Sequence, residues 1–135
     1  MHYKMRDQIR FKIGKEEKNI QEKWIEIPEG TEHIQMMIEM PEEFRYMAFL
    51  FLEDPKKEIR FQKLLGYGQQ NPGIGKSTKD TTIGGVPGEI YPGTWKIGIG
   101  IFTEYVAQKL GEQTGEIVLT VSDRKDVVSD PIGGE

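Results

Sequence analysis

A period-two alternation of apolar residues constrains the fold of this chain more than any other feature. Ile34, Met36, Ile38 and Met40 occupy every second position. A strand places alternate side chains on one face, whereas a helix would need apolar residues three and four positions apart. The alternation therefore predicts a strand with one buried face, and Pro41 ends it.

Similar short runs recur along the chain between turn residues, of which there are 16 glycines and seven prolines. The further predicted strands cover residues 9–13, 23–27, 46–52, 59–65, 95–101 and 117–121. Residues 103–110 form the one helix candidate, and Gly111 would end it. Because parallel strands need crossovers, usually helical, this pattern favours antiparallel pairing. We predict an all-β, jelly-roll-like antiparallel sandwich of seven to eight strands with a long glycine-rich loop.

Two of these runs carry more detailed predictions. Residues 46–52 are apolar on both faces, which predicts a central strand covered on both sides. In the run 95–101, Gly98 and Gly100 share the face opposite Trp95, where they leave room for another group to approach. Trp95 shares its own face with three isoleucines, and this predicts that it packs in the core.

The glycine-rich loop spans residues 66–93 and contains eight glycines and three prolines. A short strand is expected near residues 81–83. Long ordered loops on a β-scaffold commonly carry function. Tyr67, Ile83 and Tyr91 are therefore the predicted ligand or partner contacts, and Tyr67, between two glycines, is the residue most expected to be exposed.

The length of 135 residues fits one domain, with a core over about residues 8–122 and a polar tail or linker over 123–135. The net charge is −4, and no basic cluster is longer than Lys56-Lys57, so no nucleic-acid partner is expected. No apolar run is long enough to span a membrane. The first eight residues lack the apolar stretch of a secretory signal, so we expect a cytoplasmic protein or one whose signal has been removed.

The residue inventory excludes most catalytic chemistry. There are no cysteines, which excludes a thiol nucleophile, a disulfide and a Cys-based zinc site. The two histidines, His2 and His33, are too few for a His-rich metal centre. Gly75-Lys76-Ser77 resembles the end of a phosphate-binding loop, but Gln70 occupies the position where that loop needs glycine. We therefore predict no catalytic residue, no metal ligand and no cofactor.

A set of motifs is similar to those of a known domain. They are residues 27–34, which include Pro28 and Thr31, then Glu53-Asp54-Pro55, Gly66-Tyr67-Gly68, and residues 81–95, which end in Pro92-Gly93-Thr94-Trp95. Over residues 19–122 the chain resembles the N-terminal β-sandwich domain that precedes the catalytic domain in CehA/McbA-type metallohydrolases of the PHP superfamily. Tyr67 stands where that family has tryptophan, and Ile83-Gly84-Gly85 where it has Pro-Gly-Tyr.

The resemblance implies a non-catalytic accessory or interaction domain whose partner, in cis or in trans, is a PHP-type catalytic domain. The metal ligands of that family lie in its catalytic domain, so its hydrolase activity does not transfer to this chain. A rival resemblance is to the C-terminal β-domains of secreted proteases. The alternative function is a carbohydrate-binding jelly-roll module.

Overall fold

The computed structural model describes residues 5–111 and 114–123. Its elements in chain order are β1 (Arg6–Ile13), β2 (Ile20–Ile27), β3 (His33–Met40), β4 (Phe49–Glu53), β5 (Ile59–Leu64), β6 (Gly68–Gln70), β7 (Gly73–Gly75), β8 (Gly93–Gly100), α1 (Thr103–Leu110) and β9 (Gly115–Ser122). Two single-turn 3₁₀ helices lie at Glu42–Phe44 and Thr78–Asp80.

The strands form two antiparallel sheets. Sheet A has the order β1-β9-β3-β6, with β7 also paired to β3, and sheet B has the order β2-β8-β4-β5. Successive strands mostly alternate between the sheets, and the first and last strands, β1 and β9, pair with each other, which is a jelly-roll arrangement. The all-β sandwich predicted from the sequence is confirmed.

The alternating residues of β3 face the core as predicted. Ile34, Met36 and Ile38 are fully buried, as is Trp95 on β8. A single apolar cluster joins the inner faces of both sheets, including Phe11 and its neighbours on sheet A and β8 on sheet B. Burial of these side chains provides the main driving force for packing the two sheets.

The glycine-rich segment, residues 66–93, closes one edge of the sandwich. Its strands β6 and β7 pair with β3 of sheet A. Farther along, it crosses to sheet B, where the Gln62 amide donates to the Gly84 carbonyl and the Val86 amide to the Arg60 carbonyl. Gly84 has φ +102, and a Cβ there would lie 2.8 Å from the Gln62 carbonyl oxygen, so this crossing requires glycine.

At two places the strands differ from the sequence-based expectations. The strand expected near 81–83 does not form, and Gly85, just after it, makes only an isolated bridge to Phe61. The strands of the glycine-rich segment are β6 and β7, which lie earlier in it. The strand predicted from 46 begins at Phe49, because Tyr46 adopts a left-handed backbone conformation, with φ 60. The candidate helix is present as α1. Apart from Asp123, the predicted tail lies outside the described residues.

A buried ion pair ties the segment to sheet B. Arg60 Nη1 lies 3.3 Å from Asp54 Oδ2, and both side chains are almost fully buried. Arg60 also donates to the carbonyl oxygens of Val86 and Glu89, at 3.1 and 2.7 Å, and its guanidinium lies over the Trp95 ring. One side chain therefore joins the β4–β5 turn, residues 86–89 and the core tryptophan.

Asp54→Asn should lower the free energy of unfolding by about 3–5 kcal/mol, because it leaves the Arg60 charge buried without its counter-charge. Urea unfolding followed by circular dichroism measures the change. Glu116→Gln is the matched control, because it breaks the exposed 2.8 Å pair with Arg10 and should cost no more than about 1 kcal/mol. Equal effects of the two substitutions would contradict this assignment.

Candidate functional site

The outer faces of the two sheets differ in character. On sheet A, the outward residues of β1 are Gln8, Arg10 and Lys12, and Arg10 pairs with Glu116 of β9. On sheet B, one end of the outer face is apolar. Ile20, Gly100, Phe49 and Leu64 lie in one row across the four strands in the order β2-β8-β4-β5. Sheet B therefore has an apolar region on its outer face.

Side chains from the turn before β4 and from the region of α1 extend this row. Together they form what we call the apolar surface: Ile20, Tyr46, Phe49, Leu64, Phe102 and Tyr105. All six are exposed, and Phe102 is exposed over 74% of its surface. They surround a groove of about 530 Å³ whose lining also includes Met47, Gly100 and the buried Ile101.

Two glycines shape this surface, as the spacing in β8 predicted. A Cβ at Gly98 would overlap the Phe51 ring, so that ring lies directly against the β8 backbone. A Cβ at Gly100 would meet nothing within 4 Å. The room left by Gly98 is thus filled by Phe51, and the room left by Gly100 stays open as part of the groove.

The prediction that residues 46–52 are covered on both sides is wrong for one face. Leu50 and Leu52 point into the core and are fully buried, but Phe49 is exposed and Phe51 is half-buried. The strand is central in sheet B, as expected. Nothing in the described residues covers the outer face at Phe49, so an apolar run that normally signals two buried faces here marks an exposed one.

The backbone at Tyr46 is strained in a way that presents its ring to the surface. A positive φ is unusual for a bulky aromatic residue and costs of the order of 1 kcal/mol. The conformation is held by a 2.8 Å hydrogen bond from the Tyr46 amide to the Leu65 carbonyl and by one from the Met47 amide to the Phe44 carbonyl.

Positively charged side chains lie over the tyrosine rings at this surface. The Arg45 guanidinium lies 4.7 Å from the Tyr46 ring centre and 4.6 Å from that of Tyr67. Its hydrogen bond to the Tyr46 hydroxyl raises the pKa of Arg45 above its ordinary value. Lys109 lies over the Tyr105 ring, at 5.6 Å. The apolar surface therefore has positive charge at its rim.

The three residues singled out from the sequence lie in different surroundings. Tyr67 is exposed and joins the edge of the apolar surface through Arg45. Ile83 is exposed on the glycine-rich segment. Tyr91 is half-buried with Lys56 4.2 Å from its ring centre, and its carbonyl accepts a hydrogen bond from Trp95 Nε1. The structure does not bring the three together.

Two of the motifs that carried the family resemblance, Glu53-Asp54-Pro55 and the start of β8 at Gly93, meet at the other end of sheet B. Asp54 binds the buried Arg60, and its Oδ1 accepts hydrogen bonds from the amides of Lys56 and Glu58. Pro55 lies against Gly93, at 3.5 Å from the position of a Cβ there. These residues hold the β4–β5 turn and the start of β8 together, so the motif Glu53-Asp54-Pro55 has a structural role.

The phosphate-loop resemblance at Gly75-Lys76-Ser77 is not supported by the local structure. Gly75 ends β7, and a single 3₁₀ turn follows instead of a long helix. Lys76 Nζ lies 3.8 Å from a carboxylate oxygen of Glu32 and 3.7 Å from one of Glu89. Two carboxylates therefore occupy the neighbourhood where a phosphate would need donors.

Within residues 5–111 and 114–123, no three His, Asp or Glu side chains are grouped as metal ligands would be. No described helix is long and apolar enough to cross a membrane. No protein-family model matches the chain, and no curated protein matches it significantly.

Most residues of the apolar surface could not be identified as a group from the sequence. Ile20, Phe49 and Leu64 belong to three different strands, and only the register of sheet B places them in one row. The signal that could have pointed there was the pair Gly98 and Gly100, which opens the outer face of β8.

Gly98→Ala should destabilise the protein by about 1–3 kcal/mol, because the new methyl group displaces the Phe51 ring from the β8 backbone. Gly100→Ala is the matched control and should change stability by less than about 0.5 kcal/mol, because its Cβ enters open space. Thermal unfolding of both variants checks the pair. A destabilisation by Gly100→Ala as large as that by Gly98→Ala would show that the groove is not open at this point.

Proposed function

We propose that this chain is a non-catalytic interaction domain that binds a protein partner through the apolar surface. The observation that carries the proposal is the row of exposed apolar side chains across sheet B, continued by Phe102 and Tyr105. Contiguous exposed apolar patches with a polar rim mark interaction surfaces, because leaving them in water is costly.

The partner that fits is a protein domain with an apolar patch bordered by carboxylates. The apolar side chains of the surface would pack against the partner's apolar patch. Arg45 and Lys109 at the rim would pair with its carboxylates. Aromatic residues and arginine are enriched among the residues that dominate binding energy, and Tyr46, Phe102 and Arg45 are of these types. The motifs similar to the front domain of CehA/McbA-type enzymes make a PHP-type catalytic domain the partner to test first.

The glycine-rich segment has mainly a structural role, and only part of it adjoins the apolar surface. Ile74 and Ile90 of the segment are buried in the core, so much of it stabilises the sandwich itself. Tyr67 is the part of it that adjoins the apolar surface. Ile83 and Val86 are exposed elsewhere on it and are proposed only as secondary contacts.

A carbohydrate-binding function is favoured by Trp24 and not by Tyr67 or Tyr91. Arg45 lies over the Tyr67 ring and Lys56 over the Tyr91 ring, so each tyrosine already has a cation against it. Trp24, on β2, is exposed and has polar groups beside it.

Leu64→Glu should weaken binding to a PHP-type catalytic domain from the same organism by about 30-fold or more, because it places a charge within the apolar surface, at the β5 end of the apolar row. Isothermal titration calorimetry with the purified domain measures the affinity. Val118→Glu is the matched control, since Val118 is half-buried on the outer face of sheet A, and its affinity should equal that of the wild type.

Two results would count against the proposal. The first is that the wild-type chain does not bind the catalytic domain at concentrations up to about 1 mM, which corresponds to a binding free energy weaker than about −4 kcal/mol. The second is that Val118→Glu weakens binding as much as Leu64→Glu. Circular dichroism spectra of both variants establish that each is folded.

A further inference from the structure

Trp24 lies on the outside of the protein, at the end of sheet B away from the apolar row. It projects from β2, an edge strand of sheet B, and 61% of its surface is exposed. Trp95, the other tryptophan, is fully buried. Tryptophan is highly buried on average, because its ring is a large apolar surface. Core packing therefore does not account for the position of Trp24.

Hydrogen-bonding groups lie next to this ring. Lys96 is directly opposite Trp24 in the pairing of β2 with β8. Its ammonium group is 3.2 Å from a Glu22 carboxylate oxygen and 3.5 Å from one of Glu53. Thr94, two residues before Lys96, lies on the same face, and its hydroxyl donates to a carboxylate oxygen of Glu26. The ring is thus accompanied by an ammonium group, carboxylates and a hydroxyl.

Trp24 also forms part of the wall of a depression of about 260 Å³. Pro55 and Lys57, from the β4–β5 turn, line it as well, together with Glu53, Asp54, Thr94 and Lys96. The turn is fixed because Asp54 Oδ1 accepts the amides of Lys56 and Glu58 while its Oδ2 binds Arg60. The depression is therefore preformed, and its size suits one sugar ring better than a large ligand.

We propose that this depression binds a saccharide, with one sugar ring stacked on Trp24 and its hydroxyl groups bound by Glu53, Lys96 and Thr94. A pyranose has a face of C–H groups, which suits the face of an indole ring, and a circumference of hydroxyls. Each hydroxyl both donates and accepts, so carboxylate, ammonium and hydroxyl groups can all pair with it. Lys96 is paired with Glu22 and Glu53, and the Thr94 hydroxyl with Glu26, so a saccharide would use the remaining donor and acceptor sites of these groups.

The site is independent of the proposed partner-binding role, because its residues lie at the opposite end of the β8 strand from Gly100 and the apolar row. A test can therefore show that the chain binds a saccharide but no protein partner, or a protein partner but no saccharide.

The wild-type chain should bind at least one glycan on an array of neutral and acidic glycans. The hexasaccharides of cellulose, xylan, mannan and chitin are then the probes for titration in solution. Binding should shift the tryptophan emission to shorter wavelength, because the sugar removes Trp24 from water while Trp95 is already buried. The absence of any bound glycan on the array and of any response to the four probes would overturn the proposal.

Three variants locate the bound sugar. Trp24→Ala should weaken binding roughly tenfold or more, and Trp24→Tyr should weaken it less, because it keeps an aromatic face. Tyr67→Ala is the matched aromatic control, since Tyr67 is exposed but lies beside Arg45, and it should leave the affinity unchanged. Unchanged binding by a folded Trp24→Ala variant, or a loss on Tyr67→Ala equal to that on Trp24→Ala, would overturn the assignment.

Discussion

The ion pair between Asp54 and Arg60 is the contact on which the arrangement of sheet B and its loops depends. Both groups are buried, so each needs the other and the surrounding hydrogen bonds to offset the loss of water. Asp54 fixes the β4–β5 turn, and Arg60 holds the carbonyls of Val86 and Glu89. The glycine-rich segment is thereby fastened to sheet B at one end and paired with β3 of sheet A at the other.

This arrangement leaves the outer face of sheet B with two different ends. Near Gly100, the row through Phe49 and Leu64 is apolar and open. Near Lys96, carboxylates and an ammonium group dominate, and hydrogen bonding to Glu22 raises the pKa of Lys96 above its ordinary value. One end suits the apolar patch of a protein, and the other suits a ligand rich in hydroxyl groups.

The fold could be predicted because its signals are local. The alternation in β3 and the glycines and prolines between strands are visible in the sequence, and they do not depend on which strands pair. The extent of β4 was harder, because Tyr46 takes up a left-handed conformation that only its hydrogen bond to Leu65 explains. Likewise, short β6 and β7 could not be read from a segment whose pairing with β3 is long-range.

The candidate sites could be predicted only in part. Tyr67 could be expected to be exposed because it lies between two glycines, but its position beside Arg45 and Tyr46 depends on tertiary packing. An apolar run such as residues 46–52 normally indicates two buried faces, so the exposure of Phe49 contradicts the usual reading. Such exceptions are expected at surfaces that bind something, where local rules are broken for function.

Amide hydrogen exchange of the chain, with and without a PHP-type catalytic domain, tests most directly whether the apolar surface is the binding surface. We expect the partner to slow exchange in residues 46–49, 62–65 and 100–106 and to leave exchange in residues 116–120 of sheet A unchanged. Protection confined to sheet A, or no protection at all under conditions where the partner is in excess, would contradict it.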